Sequence, residues 1–234
     1  MAAAPGGDSN VASGPAFARI APFALFMAFV AVLSWPEGPT SRLTEADVRW
    51  LVIFRGVAVA AVLGILWRHY VELHDARAPS GPQWLLAIGV GAVVFGLWIT
   101  FDDGWAAFDA GPGFSPLRAD GSIDPMLAFL RLAGMALVVP VMEELFWRSF
   151  LLRWIDRREF LQVDPRRASL MAFAISSALF ASEHSQWFAG LLAGMAYGWL
   201  YMRTGNLWVP IVSHATTNAL LGSWILATRN WQFW

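Results

Sequence analysis

A series of seven apolar segments, separated by short polar stretches, limits the folds open to this chain more than any other feature. Most of them approach the roughly 20 residues that a helix needs to cross a bilayer. The chain is 57% hydrophobic and 14% charged, against about 25% charged residues in ordinary soluble domains. The sequence therefore predicts an all-α fold, a polytopic membrane helical bundle with about seven transmembrane helices, within a range of six to eight. The predicted spans are 17–35, 48–67, 84–101, 125 to between 152 and 155, 168–182, 187–202 and 207–227.

Two regions can be distinguished before the fourth span. Residues 1–16 are small and polar and lack the basic start of a secretory signal, so a disordered N-terminal segment is expected there. Residues 17–124 comprise three spans and end in a loop rich in Asp, Gly and Pro at 102–124.

Composition excludes several classes of function. The chain has no cysteine, which excludes disulfides, thiolate metal sites and a cysteine nucleophile. All sixteen cationic residues are arginine, which excludes catalysis by a lysine. A net charge of −1 offers no broad basic surface, so no nucleic-acid partner is expected.

Charged residues inside the fourth span are the strongest functional signal. Each charge in a bilayer costs at least about 2.5 kcal/mol, and such residues are usually functional. Glu144 and Arg148 are four residues apart and can pair on one helix face. Glu143 points about 100° away and has no local partner, so we expect it to face a polar cavity. Pro140 predicts a distortion of the helix one turn earlier.

Five other polar residues lie in or near the predicted spans, and three of them have both a functional and a structural interpretation. His214 and Asn218 share a face of the last span, where they serve either a reaction or a hydrogen bond between helices. His184 lies in the short polar link 183–186 and is either a site residue or an ordinary loop residue beside a solvated Glu183. Arg55 and Arg131 are expected to extend to the nearer membrane surface.

The set Glu143, His184, His214 and Asn218 fits a hydrolytic site. A carboxylate in a low-dielectric pocket can act as a general base on water, and a histidine can help to position that water. Imidazole and carboxamide N–H groups can stabilise a tetrahedral oxyanion. These roles suit the hydrolysis of a peptide bond within the membrane.

These residues form three motifs on three different spans. Glu143-Glu144-x-x-x-Arg148, Phe180-x-x-x-His184 and His214-x-x-x-Asn218 resemble, in this order, the motifs of the CAAX protease and bacteriocin-processing (CPBP) family of intramembrane endopeptidases. The similarity covers residues 125–228 and implies that 125–234 is the catalytic helical core, with the spans in 17–124 as accessory elements. The surroundings of His184 and residues 231–234 resemble a CAAX prenyl protease-related subgroup found with bacterial exosortase systems.

The resemblance also implies a mechanism. Glu143 and His184 would activate the water, and His214 and Asn218 would form the oxyanion site. The other motif residues, Glu144, Arg148 and Phe180, would have structural and orienting roles. No cofactor is expected, with zinc held by Glu143, His184 and His214 as the alternative. The cavity would open to the cytoplasmic side and to the bilayer.

Location and partners follow from the same considerations. Arginine is concentrated in the loops that share a side with the N-terminus, so the positive-inside rule predicts a cytoplasmic N-terminus. The predicted location is the bacterial cytoplasmic (inner) membrane. The expected partners are a membrane-associated protein or peptide substrate, the lipid bilayer and an exosortase-type export system. The competing hypotheses are a non-catalytic scaffold or assembly factor of an export system and a proton-coupled transporter that uses Glu143.

Overall fold

A computed structural model describes residues 14–35, 38–39, 42–75, 77–109, 111 and 113–234. These residues form α-helices, short helical turns and one antiparallel bridge between Leu117 and Ile123, which confirms the predicted all-α fold. The segment predicted to be disordered is 1–16. Of these residues, 1–13 lie outside the part of the chain that the structure describes. The first helix begins at Pro15, inside the predicted segment. The helices are α1 Pro15–Ser34, α2 Glu45–Ile65, α3 Val71–His74, α4 Gly81–Thr100, α5 Pro125–Ala133, α6 Val139–Glu144, α7 Leu152–Asp156, α8 Leu170–Ser182, α9 Trp187–Thr204 and α10 Trp208–Thr228.

Local sequence explains where several helices begin. Pro15 occupies the first turn of α1, where its missing N–H costs no hydrogen bond. Thr44 caps α2 by accepting a hydrogen bond from the Asp47 backbone N–H at 3.2 Å, and the Asp47 side chain accepts one from the Thr44 backbone N–H at 3.0 Å. This reciprocal cap starts α2 three residues before the predicted span.

The predicted fourth span is one long helix, Pro125–Asp156, that changes its hydrogen-bonding pattern twice. Two π-helical turns, Gly134–Val138 and Leu145–Leu151, separate α5, α6 and α7. In the first turn the Val139 backbone N–H donates to the carbonyl of Gly134, five residues back. Pro140 has no N–H for the next such bond, so the distortion expected at this proline takes the form of the π turn that precedes it.

Membrane spans can be compared with the prediction by length and composition. Among the described residues, four helices are long and apolar enough to cross a membrane: α1, α2, α4 and the long helix Pro125–Asp156. The apolar α8 has only 13 residues. The helices α9 and α10 are long enough but less apolar, because they carry polar side chains into the bundle interior. The membrane bundle is thus confirmed, whereas the count of seven spans stays a prediction.

The two ends of the bundle differ in charge. At one end the described parts of the connections 66–80, 157–169 and 203–207 pack together, and we call this the arginine-rich end. Asn206 Nδ2 donates to the Arg77 carbonyl there at 2.8 Å, and Trp208 Nε1 donates to the Leu73 carbonyl at 3.2 Å. Its arginines are Arg68, Arg77, Arg157, Arg158, Arg166, Arg167 and Arg203.

The opposite end, which we call the aspartate-rich end, consists of the described parts of segment 101–124 and of the segments 183–186 and 229–234. The long loop folds back over the other two segments, since the Phe108 N–H donates to the Ser185 carbonyl at 2.8 Å and the Phe114 N–H to the Trp234 carbonyl at 2.9 Å. Asp102, Asp103, Asp109, Asp120 and Asp124 belong to this end.

Close contacts between helix backbones hold α8 against α9. A Cβ atom at Gly194 would lie 3.0 Å from the Ser177 carbonyl oxygen, and one at Gly190 would lie 3.3 Å from the Ala181 Cα atom. Small residues such as Gly190 and Gly194 allow two helix backbones to approach this closely. The contact sets the position of the turn that follows α8.

A buried ionic cluster ties α1 and the short helix α3 to the long helix. The Glu72 carboxylate accepts hydrogen bonds from Arg19, Ser149 and Arg153. Arg19 is 0% exposed, and its Nε also lies 2.7 Å from Ser149 Oγ. The cluster fixes the arginine-rich end of the bundle.

Candidate active site

A cavity of about 340 Å³ lies among the helices and brings the sequence-predicted site residues together. Glu143 enters it from the long helix, His184 from the turn after α8, and His214 and Asn218 from α10. Glu144 and Arg148 lie behind this surface and are almost completely buried. Residues from three elements, up to 75 positions apart in the sequence, thus face one cavity.

The Glu143 side chain is buried without a charge partner of its own. It is 6% exposed, and its Oε2 atom has no hydrogen-bond partner among the described residues. A buried polar atom without a hydrogen-bond partner is costly, so we expect water, a substrate or an ion to contact it. This arrangement agrees with the expectation that Glu143 faces a polar cavity.

The position of His184 depends on the length of α8. Thirteen residues extend about 20 Å, less than the roughly 30 Å of a bilayer core, so the turn 183–186 lies within the bundle. His184 Nδ1 lies 2.8 Å from the Phe180 carbonyl, which can only accept, so Nδ1 carries the proton. In the neutral ring Nε2 is then left as an acceptor.

Phe180 holds several site groups at once. Its ring lies 4.7 Å from the His184 ring and 4.4 Å from the Arg148 guanidinium carbon. Together with its carbonyl bond to His184, these contacts fit the orienting role expected for Phe180.

His214 belongs to a buried network of contacts with Glu144 and Arg148. Its Nδ1 lies 3.0 Å from Glu144 Oε1, and Glu144 Oε2 lies 3.2 Å from Arg148 Nε. The imidazole also stacks on the Tyr197 ring at a centroid distance of 4.8 Å. The Glu144–Arg148 pair expected from the sequence is present, and it continues to His214 on another helix.

Asn218 has a backbone partner that its sequence motif does not reveal. Its Nδ2 donates to the carbonyl of Met135 at 2.8 Å. In the π-helical pattern this carbonyl would accept from residue 140, which is a proline and has no N–H. Asn218 therefore satisfies the acceptor that Pro140 leaves free, and the second N–H of its amide is available for other contacts.

Residues 125–220 match the family model described as Type II CAAX prenyl endopeptidase Rce1-like. This part of the chain is an Rce1-like domain. The match confirms the family-level resemblance of the three motifs, and the family is one of endopeptidases, which are hydrolases. No curated protein and no solved structure matches the chain.

The Rce1-like domain contains all the motif residues, from Glu143 to Asn218, and excludes α1, α2 and α4. These helices still contribute to the cavity, through Phe26 and Met27 of α1, Arg55 of α2 and Trp98 of α4. The site is therefore completed by residues from outside the domain that carries the motifs.

A further acidic residue of the Rce1-like domain faces the cavity. Glu183 is not the solvated neighbour of His184 that the sequence suggested, because its Oε1 accepts a hydrogen bond from Trp147 Nε1 at 2.9 Å. Possible ligand atoms of Glu143, Glu183 and His184 lie within 4.8 Å of one another. No sequence motif marked Glu183, and only the short length of α8 could have indicated it.

This cluster bears on the zinc alternative. Two carboxylates and one imidazole are a donor set that zinc accepts, so these three residues fit a metal ion. Within the described part of the chain, His214 is not among the residues whose possible ligand atoms lie this close together. If a metal binds, the structure favours Glu183 over His214 as the third ligand.

The cavity opens at the aspartate-rich end. Besides the site residues it is lined there by Gly113, Ser185, Gln186 and Gln232. The sequence predicted both a cytoplasmic location for the arginine-rich loops and, by resemblance, a cavity open to the cytoplasm. Since the opening and those loops lie at opposite ends of this bundle, the two expectations are incompatible.

Arg55 and Arg131 do not extend to the membrane surface as expected. Both line the cavity, and the Arg55 guanidinium carbon lies 4.2 Å from the centre of the Phe26 ring. The expectation was wrong because these positions face the bundle interior, where the cavity provides a polar space.

Proposed function

We propose that this protein is an intramembrane endopeptidase that hydrolyses a peptide bond in a membrane-associated protein or peptide. The observation that carries the proposal is the buried, unpaired Glu143 carboxylate beside His184 in a cavity of the Rce1-like domain. A base without a competing partner is free to take a proton from a bound water.

Each proposed role corresponds to an available atom. Glu143 removes a proton from water while His184 Nε2 accepts the second O–H, and the oxygen attacks the peptide carbonyl carbon. The resulting oxyanion receives hydrogen bonds from His214 Nε2 and Asn218 Nδ2. Glu143 then transfers the proton to the leaving nitrogen, the C–N bond breaks, and a carboxylic acid and an amine are released.

Glu144 has a defined part in this scheme. Because His214 Nδ1 already faces the Glu144 carboxylate, its Nε2 can donate only when the ring is an imidazolium. The buried Glu144 carboxylate stabilises that cation, and Arg148 fixes the carboxylate in place. The oxyanion site is therefore positively charged when it is competent.

Zinc-dependent hydrolysis is the alternative mechanism, favoured by the proximity of Glu143, Glu183 and His184. A zinc ion held there would polarise the peptide carbonyl and lower the pKa of a bound water. We favour the metal-free mechanism, because Asn218 suits an oxyanion site better than a ligand shell.

The proposed location is the bacterial cytoplasmic membrane, with the arginine-rich end and the N-terminus in the cytoplasm. In this orientation the cavity opens on the outer side. Such an opening suits substrates that have been exported, and the subgroup resemblance suggests an exosortase-type export system as the partner. Labelling of a cysteine introduced at Asp103 by a membrane-impermeant reagent in intact cells tests the orientation, because the chain has no other cysteine.

The function is tested by intact-mass analysis of membrane-associated proteins from cells that carry the unaltered protein, Glu143→Gln or Glu159→Gln at equal expression. Glu159 is exposed and lies at the arginine-rich end, so its substitution controls for the chemical change. A truncated product that disappears only with Glu143→Gln supports the endopeptidase. If no protein changes mass and the Glu143→Gln cells behave normally, the scaffold hypothesis replaces it.

A further inference from the structure

Two arginines of the cavity have no counter-ion. Arg55 is 9% exposed, and the buried Nε of Arg131 has no hydrogen-bond partner. Neither guanidinium forms an ion pair or a hydrogen bond with any residue that the structure describes. Aromatic faces are their neighbours, with Phe114 at 5.5 Å from the Arg131 guanidinium carbon.

The other buried arginines show how unusual this is. Arg19 and Arg153 both contact Glu72, and Arg148 is paired with Glu144. A cation–π contact contributes about 0.5–2 kcal/mol and does not offset the cost of burying a guanidinium. Two unpaired positive charges at one wall of a cavity form a site that favours an anion.

The arginines lie between the catalytic residues and the outside. A second, outer cavity of about 770 Å³ at the aspartate-rich end is also lined by Arg55 and Arg131. A peptide that enters through this outer cavity meets both guanidinium groups before it reaches Glu143. At the catalytic end the cavity presents the carboxyl groups of Glu143 and Glu183, and no unpaired guanidinium is described there.

We propose that Arg55 and Arg131 form a subsite that binds a carboxylate of the peptide substrate and so positions the scissile bond at Glu143. A guanidinium and a carboxylate form charge-assisted, often bidentate hydrogen bonds, which suit a planar two-oxygen group. The inference rests on the proposed endopeptidase function. Under this proposal, substrate specificity depends on α5, which lies inside the Rce1-like domain, and on α2, which lies outside it.

Helix geometry limits the distance between this carboxylate and the cleaved bond. Arg131 and Glu143 lie twelve residues apart on the long helix, a rise of about 18 Å at most. An extended peptide covers roughly 3.3–3.6 Å per residue. The carboxylate therefore lies within about five residues of the scissile bond and belongs either to the substrate's C-terminus or to an Asp or Glu side chain.

The test uses the full chain in phosphatidylcholine nanodiscs, which contain no anionic lipid. The probes are four pools of fluorescent, N-acylated apolar peptides, with a free or an amidated C-terminus and with or without one Glu within five positions of it. Arg55→Gln, Arg131→Gln and Arg131→Lys are compared with Arg118→Gln, an exposed arginine at the same end of the bundle.

Cleavage is expected to be about tenfold or more faster, as kcat/KM, for pools with a carboxylate than for the uncharged pool. Arg131→Gln should lower kcat/KM more for the carboxylate pools than for the uncharged pool, through a higher KM for the carboxylate pools. Arg131→Lys should retain part of the preference, and Arg118→Gln should retain all of it. The pool that shows the preference identifies the source as the C-terminus or the side chain. Equal cleavage of all pools, or equal losses on all pools in Arg131→Gln, would overturn the proposal.

Binding of the same pools to Glu143→Gln protein, measured by fluorescence polarisation, separates this inference from the proposed function. Tighter binding of carboxylate pools that depends on Arg131, without cleavage by the unaltered protein, supports the subsite and contradicts the endopeptidase. Cleavage without any carboxylate preference supports the endopeptidase and contradicts the subsite. The absence of both cleavage and charge-dependent binding contradicts both.

Discussion

His214 Nδ1 and Glu144 Oε1 lie 3.0 Å apart in a contact from which both side chains exclude water almost completely. Glu144 also neutralises Arg148, so one carboxylate serves two groups on two helices. Removing one partner of a buried ion pair typically costs 3–5 kcal/mol, because the remaining charge is left uncompensated. The contact therefore links stability and chemistry at one residue.

Glu144→Gln should lower the free energy of unfolding by about 3–5 kcal/mol and also reduce hydrolysis, because the His214 imidazolium loses its carboxylate. Thermal unfolding in detergent measures the first effect. Glu45→Gln is the matched control, since Glu45 pairs with an arginine four residues later on an exposed surface and should change little. Equal destabilisation by both substitutions would contradict a special contribution of the buried Glu144 contacts to stability.

Glu143→Gln should reduce hydrolysis by roughly 100- to 10,000-fold, the usual loss for a general base. Unlike Glu144→Gln, this substitution should leave the free energy of unfolding unchanged or increase it, because an amide is less costly to bury than an unpaired carboxylate. Purified protein should melt at the same temperature or higher. A clear decrease in melting temperature would mean that Glu143 is a structural residue.

Asn218→Ala should destabilise the protein by about 1–3 kcal/mol, because the Met135 carbonyl would be buried without a donor. In a Pro140→Ala background the new backbone N–H can bond that carbonyl, so the same substitution should cost less. A double-mutant cycle of unfolding free energies measures this coupling. Additive effects of the two substitutions would show that Pro140 does not create the free acceptor.

Acid should weaken the ionic cluster at the arginine-rich end. Burial raises the pKa of Glu72, but Arg19 and Arg153 act in the opposite direction and the net result is a pKa below the usual value. The carboxylate therefore stabilises the fold fully above its unfolded pKa of about 4.3, and this contribution is lost as the pH falls through the lower folded pKa. Unfolding curves between pH 6 and pH 3 should decline less steeply for Glu72→Gln than for the unaltered protein.

Metal removal distinguishes the two mechanisms. Under the metal-free mechanism, dialysis of the purified protein against EDTA should leave hydrolysis unchanged. Glu183→Gln should then have a smaller effect than Glu143→Gln, because Glu183 only borders the water site. Loss of activity with EDTA and its recovery with zinc would favour a site of Glu143, Glu183 and His184.

The sequence predicted the parts of the site that lie in local motifs. Glu143, His184, His214 and Asn218 follow from charge and spacing, and all four line one cavity. Their catalytic roles stay predictions. Glu183 was not identified, because its position depends on the length of α8 and on the loop that covers the following turn.

Contacts between distant segments were beyond local patterns. The Arg19–Glu72 pair joins residues 53 positions apart. Arg55 and Arg131 point inward because of the way α2 and α5 are oriented when they pack in the bundle. The π-helical turns also escaped prediction, because an apolar segment has nearly the same composition whether its hydrogen bonds reach back four or five residues. The number of spans depends on α9 and α10, whose polar faces make them less apolar than typical membrane helices.

The two π-helical turns, Gly134–Val138 and Leu145–Leu151, flank the Glu143-Glu144 pair on both sides. A π turn holds one residue more than the corresponding α-helical stretch, so it corresponds to a single-residue insertion that the helix has absorbed. In a regular α-helix one added or lost residue rotates everything on one side of it by about 100° relative to the other, and the wider π turn avoids this rotation. Homologous chains should therefore lose a single residue more readily within these two turns than elsewhere in the long helix.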